Sequence, residues 1–135
     1  MAGYSDTPLW KKLGYRHGIV AYAESVPAGY IASLGLPSDV VPEWGLRVGR
    51  DTKLIHLFVT SRVSLAKRLK SLRTTIPADG AVWVSWPKKA SSVTTDVTEN
   101  HIREVALPLG FVDVKVCAVD EIWSGLKLMI RSELR

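Results

Sequence analysis

Cysteine is all but missing. Cys117 is the single thiol in 135 residues, which excludes an intramolecular disulfide framework and any multi-cysteine metal site, and fits a reducing cytoplasm. Histidine is scarce as well, and His17, His56 and His101 show no His-x-x-x-His or acid–histidine spacing of a metal site. Ser85 and Ser124 lack the Gly-x-Ser-x-Gly surround of a nucleophile elbow. No apolar run approaches the roughly 18 residues that a membrane span needs. Met1 to Trp10 do not pair a basic region with an apolar stretch, as a secretory signal would. What is there is ordinary for a soluble protein: 47% apolar and 23% charged residues, without repeats or low-complexity linkers. The length predicts one domain over residues 1–135, with enough chain to bury a core.

Acidic residues are outnumbered, 13 against 18 Lys and Arg, for a net charge of +5. The excess is uneven. Arg62, Lys67, Arg68, Lys70 and Arg73 fall in one stretch with no acid among them. Such a stretch attracts phosphates through counterion release, or is simply the solvated face of a helix. Lys67, Lys70 and Arg73 are the candidate surface for an acidic partner. Nucleic acid is the minor alternative, because no zinc finger, RNP-type aromatic motif or long basic tail accompanies them.

The pattern of apolar residues sets the element order. A short helix is expected from Thr7 to Leu13, with Thr7 as cap, Pro8 in the first turn and Gly14 at the end. Gly18 to Ala23 is an apolar run too short for a helix and reads as a strand buried on both faces. Ser25-Val26-Pro27 then opens a helix over Pro27–Leu34, closed by Gly35, which makes the first half of a βαβ unit. Pro37 and Pro42 allow only a short edge strand, placed over Trp44–Val48 before a turn at Gly49 to Asp51. Lys53 to Val59 is a second buried strand. Leu65, Leu69, Leu72 and Ile76 then recur at the helical period in a helix from Ser61 to Thr75.

Ala81 to Trp86 is a third buried strand, and a polar loop follows from Lys88 to Asp96. A helix over Thr98–Leu109 is expected to be capped by Asp96 with Glu99 three residues on. Val112, Val114 and Val116, then Leu126, Leu128 and Ile130, alternate with other residues, the period of an antiparallel hairpin turning at Asp120-Glu121. The class is therefore α/β: a three-layer, Rossmann-like, mostly parallel sheet with right-handed crossovers and a C-terminal antiparallel hairpin.

A sheet of this order, with Leu72 to Ser85 as helix, proline–glycine turn and strand, resembles the S-adenosylmethionine-dependent methyltransferase fold. More specifically, Trp83 to Lys89, Val112 to Glu121 and Trp123 to Leu128 resemble a family of small bacterial proteins catalogued as a domain of unknown function. The second resemblance implies a fold and a bacterial cytoplasmic home, but no reaction. The first implies a cofactor loop after the first strand, where glycines let a ligand approach bare backbone, as in a Gly-x-Gly-x-x-Gly loop. Here that loop is Glu24 to Gly29 with one glycine, and Val26 and Pro27 are expected to fill the ligand's path. Glu43 stands where a ribose-binding acid could sit.

Ligands of open α/β sheets bind beyond the carboxyl ends of the strands. The candidate ligand residues there are Ser25, Gly29, Thr60, Ser61, Arg62, Trp86, Lys88 and Lys89. Cations, hydroxyls, a tryptophan and helix starts together suit a phosphate or carboxylate. Their other reading is as helix caps and solvated lysines. His56, between Ile55 and Leu57, reads as a packed histidine with one satisfied nitrogen, and Cys117 as an inert thiol. Asp120 and Glu121 at the hairpin turn read as solvated carboxylates, and Trp86 and Trp123 stand at strand ends with one face open to a partner. No catalytic residue, metal or resident cofactor is assigned. The expected function is non-catalytic binding of a small anionic ligand or an acidic partner. The alternatives are a methyltransferase-like enzyme with an atypical cofactor loop, and weak nucleic-acid binding through the basic helix.

Overall fold

The computed structural model describes residues 7–135, so the reading of Met1 to Trp10 as free of a secretory signal falls largely outside the described residues. In chain order the elements are α1 Leu9–Leu13, β1 Val20–Glu24, α2 Tyr30–Leu34, β2 Glu43–Trp44, β3 Leu54–Phe58, α3 Arg62–Thr75, β4 Ala81–Pro87, α4 Glu99–Leu109, β5 Phe111–Ala118 and β6 Trp123–Ile130, before a short 3-10 turn at Ser132–Leu134. The six strands form one sheet in the order β2-β1-β3-β4-β6-β5. β2, β1, β3 and β4 run parallel, and β6 lies antiparallel between β4 and β5. The fold is therefore α/β with a mostly parallel sheet and the expected closing hairpin.

Strand alternation sends successive side chains to opposite faces and builds two cores. Ile55, Leu57, Val82, Val84, Leu126 and Leu128 pack under Leu65, Leu69 and Leu72 of α3 and Ile102 and Ala106 of α4. Leu54, Phe58, Ala81 and Trp83 point the other way, toward Leu13 of α1 and Tyr30 and Leu34 of α2. The stripe predicted for α3 is the buried one. Truncating such a leucine costs about 2–5 kcal/mol. Among the described residues no helix is long and apolar enough to cross a membrane.

Four expectations shift. α2 begins at Tyr30 rather than Pro27: Pro27 to Gly29 form a turn in which the Tyr30 amide donates to the Pro27 carbonyl, and Gly29 is the N-cap at φ 79°. α1 starts at Leu9, with Pro8 as its N-cap. The edge strand is only Glu43–Trp44, paired with Val20 and Ala21. Thr98, not Asp96, caps α4, its hydroxyl accepting from the His101 amide at 3.1 Å. Asp96 instead reaches across to α3, where its carboxylate accepts from the Arg62 amide at 2.8 Å.

Candidate ligand-binding cleft

From β1 the chain moves outward to β2, whereas β3 leads away on the other side to β4. Connections that depart in opposite directions leave a crevice above the carboxyl ends of the two strands, the usual ligand position in open α/β sheets. The crevice here has a volume of about 380 Å³, within the range of small-molecule sites. Its lining comes from three sources. Glu24 ends β1 and Ser25 follows it, Phe58 ends β3 and Val59 to Ser61 follow it, and Ser64, Lys67 and Arg68 belong to the first turns of α3. Trp123 joins them because β6 is antiparallel, so its first residue pairs with Pro87, the last of β4.

Backbone and charge give the cleft its character. Ser25 has φ 58°, the one non-glycine residue in the left-handed region among the described residues. That conformation costs about 1–2 kcal/mol, and such strain concentrates at ligand-contacting turns. Glu24 accepts from Arg68 Nε at 2.8 Å and from the Tyr22 hydroxyl at 2.8 Å. Burial, then the bond to Glu24, raises the Tyr22 pKa. The Glu24–Arg68 pair is about one-third exposed, so it adds at most about 1 kcal/mol to stability. Its consequence is electrostatic: the carboxylate is neutralised, and Lys67, exposed and in no ion pair among the described residues, leaves the cleft net positive. Phe58 and Trp123 meet edge to face, ring centroids 5.1 Å apart, and give the cleft an aromatic part.

Behind Phe58 lies a sealed polar chain. His56 stacks on it at 4.2 Å. His56 Nδ1 bonds the Tyr30 hydroxyl at 2.7 Å, Tyr30 bonds the Tyr15 hydroxyl at 2.7 Å, and His56 Nε2 bonds Ser85 Oγ at 2.7 Å. Both ring nitrogens are satisfied, one more than expected. Burial alone depresses the imidazole pKa to about 3, so it is neutral at physiological pH, and burial raises the Tyr15 phenol to about 12. This histidine does not line the cleft.

The sequence candidates divide accordingly. Ser25, Thr60, Ser61 and Lys67 line the cleft. Gly29 does not; it caps α2. Arg62 is held by Asp96, with its Nε donating to the Asp96 carbonyl. Trp86 was expected at an open strand end, but alternation puts it on the face of Val82 and Val84, inside the α3–α4 core at 8% exposure. Lys88 is tied to the hairpin turn, its Nζ donating to the Asp120 carbonyl at 2.7 Å, and Lys89 is exposed outside the cleft. The start of α3 is not the open anion seat that was expected, because Asp96 takes the Arg62 amide and Ser61 Oγ the Ser64 amide. Val26 and Pro27 do not line the cavity either; the left-handed turn at Ser25 carries them past it. Glu43 pairs with Val20 at the start of β1, far below the carboxyl edge.

Outside the cleft, Lys70 is exposed on α3, whereas Arg73 is half-buried against Gly110 at the end of α4. There the negative end of the helix dipole favours its charge. The three cations therefore do not form one open surface. Asp120 is exposed, as expected, and its carboxylate also organises the hairpin turn by accepting from the Ile122 and Trp123 amides at 2.8 and 2.7 Å. Burial raises the half-buried Cys117 thiol above its usual pKa, in keeping with an unreactive cysteine. Of the residues that line the cleft, Phe58, Val59, Ser64 and Arg68 were not among the ligand candidates of the sequence. The helical spacing from Ser61 to Ser64 and Arg68 was the signal that could have found those two, whereas the uniformly apolar run of β3 gave none for Phe58 or Val59.

Many solved structures share this architecture. A methyltransferase from Aquifex aeolicus that depends on S-adenosylmethionine superposes with TM-score 0.62 at 13% identity, over 90% of this chain and 87% of that one. A possible exported protein from Bordetella parapertussis gives 0.62 at 11%, over 92% and 66%. LepI in complex with S-adenosylmethionine gives 0.54 at 11%, over 93% and 47%. The fold is methyltransferase-like. The chain spans about half the length of LepI and two thirds of the Bordetella protein. No family model and no curated protein matches the sequence, so the likeness of Trp83 to Lys89 to a small bacterial family stays a resemblance. At these identities the methyltransferase-like fold carries the architecture and not the activity.

Proposed function

We propose that this methyltransferase-like domain binds a small anionic ligand with a flat ring in the cleft above β1 and β3. The observation that carries the reading is the charge balance of the lining: Glu24 is neutralised by Arg68, while Lys67 shares the cavity with Phe58 and Trp123 and is in no ion pair among the described residues. The aromatic pair suits a ring, and a lysine suits a carboxylate or phosphate. Serine and threonine hydroxyls at Ser25, Thr60, Ser61 and Ser64 supply further donors. The role is binding, in a bacterial cytoplasm; the setting follows from the resemblance of Trp83 to Lys89 and Trp123 to Leu128 to the small bacterial family.

A second reading, a transferase with an atypical loop at Ser25 to Gly29, is favoured by two observations. Val26 and Pro27 lie off the cavity, and the fold is shared with a protein whose structure holds S-adenosylmethionine. Titration calorimetry with adenosine monophosphate, S-adenosylmethionine and S-adenosylhomocysteine decides between them. The first reading expects the nucleotide to bind and Lys67→Glu to weaken it by about tenfold, the loss of one charge-assisted hydrogen bond. Tighter binding of S-adenosylmethionine, indifferent to Lys67→Glu, overturns it in favour of the second. No binding by any of the three refutes both.

A further inference from the structure

A second cavity, of about 170 Å³, lies at the opposite edge of the sheet, where the parallel strands begin. Arg16 and Lys53, just before β1 and β3, line it together with Lys127 of β6, and Asp79 is the only carboxylate in its wall. Asp79 is paired with Lys53, and that bond, with help from Arg16, holds its carboxyl below the usual range. Arg16 and Lys127 have no ion-pair partner among the described residues. One rung further out, Lys115 stands directly opposite Lys127 in the β5–β6 ladder. Like charges at directly opposed positions destabilise a sheet, and the strands of this hairpin bring no acid to that face: Asp113, their single carboxylate, turns to Arg103 of α4. Burial and the neighbouring Lys115 together lower the Lys127 pKa.

We infer that this pocket is an anion site that takes a phosphate group, held by Arg16 and Lys127 beside the Lys53–Asp79 pair. A cavity of this size accommodates one tetrahedral oxyanion, and a doubly charged one compensates the excess charge that the fold leaves there. The guanidinium offers paired donors to two phosphate oxygens and the ammonium a point charge. The same chemistry fits free phosphate and the terminal phosphate of a small phosphomonoester. The site is independent of the cleft above β1 and β3, so neither proposal stands or falls with the other.

The test is thermal unfolding and amide-resolved titration of the full chain with inorganic phosphate and with glycerol phosphate, each against sodium chloride at equal ionic strength. The inference expects a saturable rise in melting temperature, with spectral changes at Arg16, Lys53 and Lys127. Lys127→Met should raise the melting temperature without phosphate, by removing the like-charge pair, and weaken phosphate binding about tenfold. Arg16→Gln, at an exposed position, should weaken binding without that gain. Saturation by glycerol phosphate at lower concentration than by inorganic phosphate assigns the monoester as source, and the reverse assigns the free ion. A response no larger than that of chloride, or an unchanged phosphate response in both variants, overturns the inference.

Discussion

His56 should make the protein acid-sensitive well above the carboxylate range. His56 is 1% exposed, and its two nitrogens bond the uncharged hydroxyls of Tyr30 and Ser85. In the unfolded chain the imidazole returns to about 6.5, whereas in the fold it titrates near 3. Between those values the unfolded state binds a proton that the folded state refuses. The stabilisation is therefore complete above about pH 6.5 and is lost as pH falls toward 3. At about 1.4 kcal/mol per pH unit, lowering the pH from about 7 to about 5 should remove about 2 kcal/mol. Urea unfolding of the protein and of His56→Gln at a series of pH values measures this. Gln stays neutral, so the variant should lose the slope, whatever it loses at pH 7 from two altered hydrogen bonds worth about 1 kcal/mol each. His56→Asn repeats the comparison if Gln packs poorly. Parallel pH profiles for the protein and both variants would refute the buried, neutral histidine.

Two backbone substitutions probe positions where the fold departs from ordinary geometry. Ser25→Gly should raise stability by about 1 kcal/mol in denaturant melts, because glycine takes the left-handed region without the penalty serine bears. No gain would show that the turn is unstrained. Gly110→Ala should cost about 1–3 kcal/mol. At φ 102° an added Cβ would stand 2.8 Å from Leu134 Cδ1 and 2.9 Å from Arg73 Nε, so a melt unchanged by the substitution would contradict the close packing of Arg73 on the end of α4.

Much of the fold was legible because its strands are buried on both faces and therefore read as unbroken apolar runs. Leu54 to Phe58 and Ala81 to Pro87 are buried at every position. That same uniformity hid which way each side chain points. A run without polar alternation carries no mark of parity, so Trp86 read as an open strand end, and nothing marked Phe58 as the core residue that also borders the cleft. Local capping was misread for a related reason. Asp96 with Glu99 has the spacing of a capping box, but the Asp96 carboxylate is taken by the start of α3, a partner distant in sequence. Trp123 reaches the cleft only because β6 enters the sheet antiparallel beside β4, a pairing that hairpin periodicity does not reveal. Ser25 gave no composition signal, because the residue that adopts a left-handed turn here is not glycine.

The proposed ligand would sit in the cleft between the carboxyl ends of β1 and β3. An amide-resolved titration with adenosine monophosphate tests it most directly. Saturable shifts are expected at Ser25, Thr60, Ser61, Ser64 and Lys67 and at the Trp123 indole, with Gly29, Lys88 and Lys89 unmoved. Shifts confined to the face of Lys115 and Lys127, or centred on Gly29, Lys88 and Lys89 with the cleft residues silent, would contradict it.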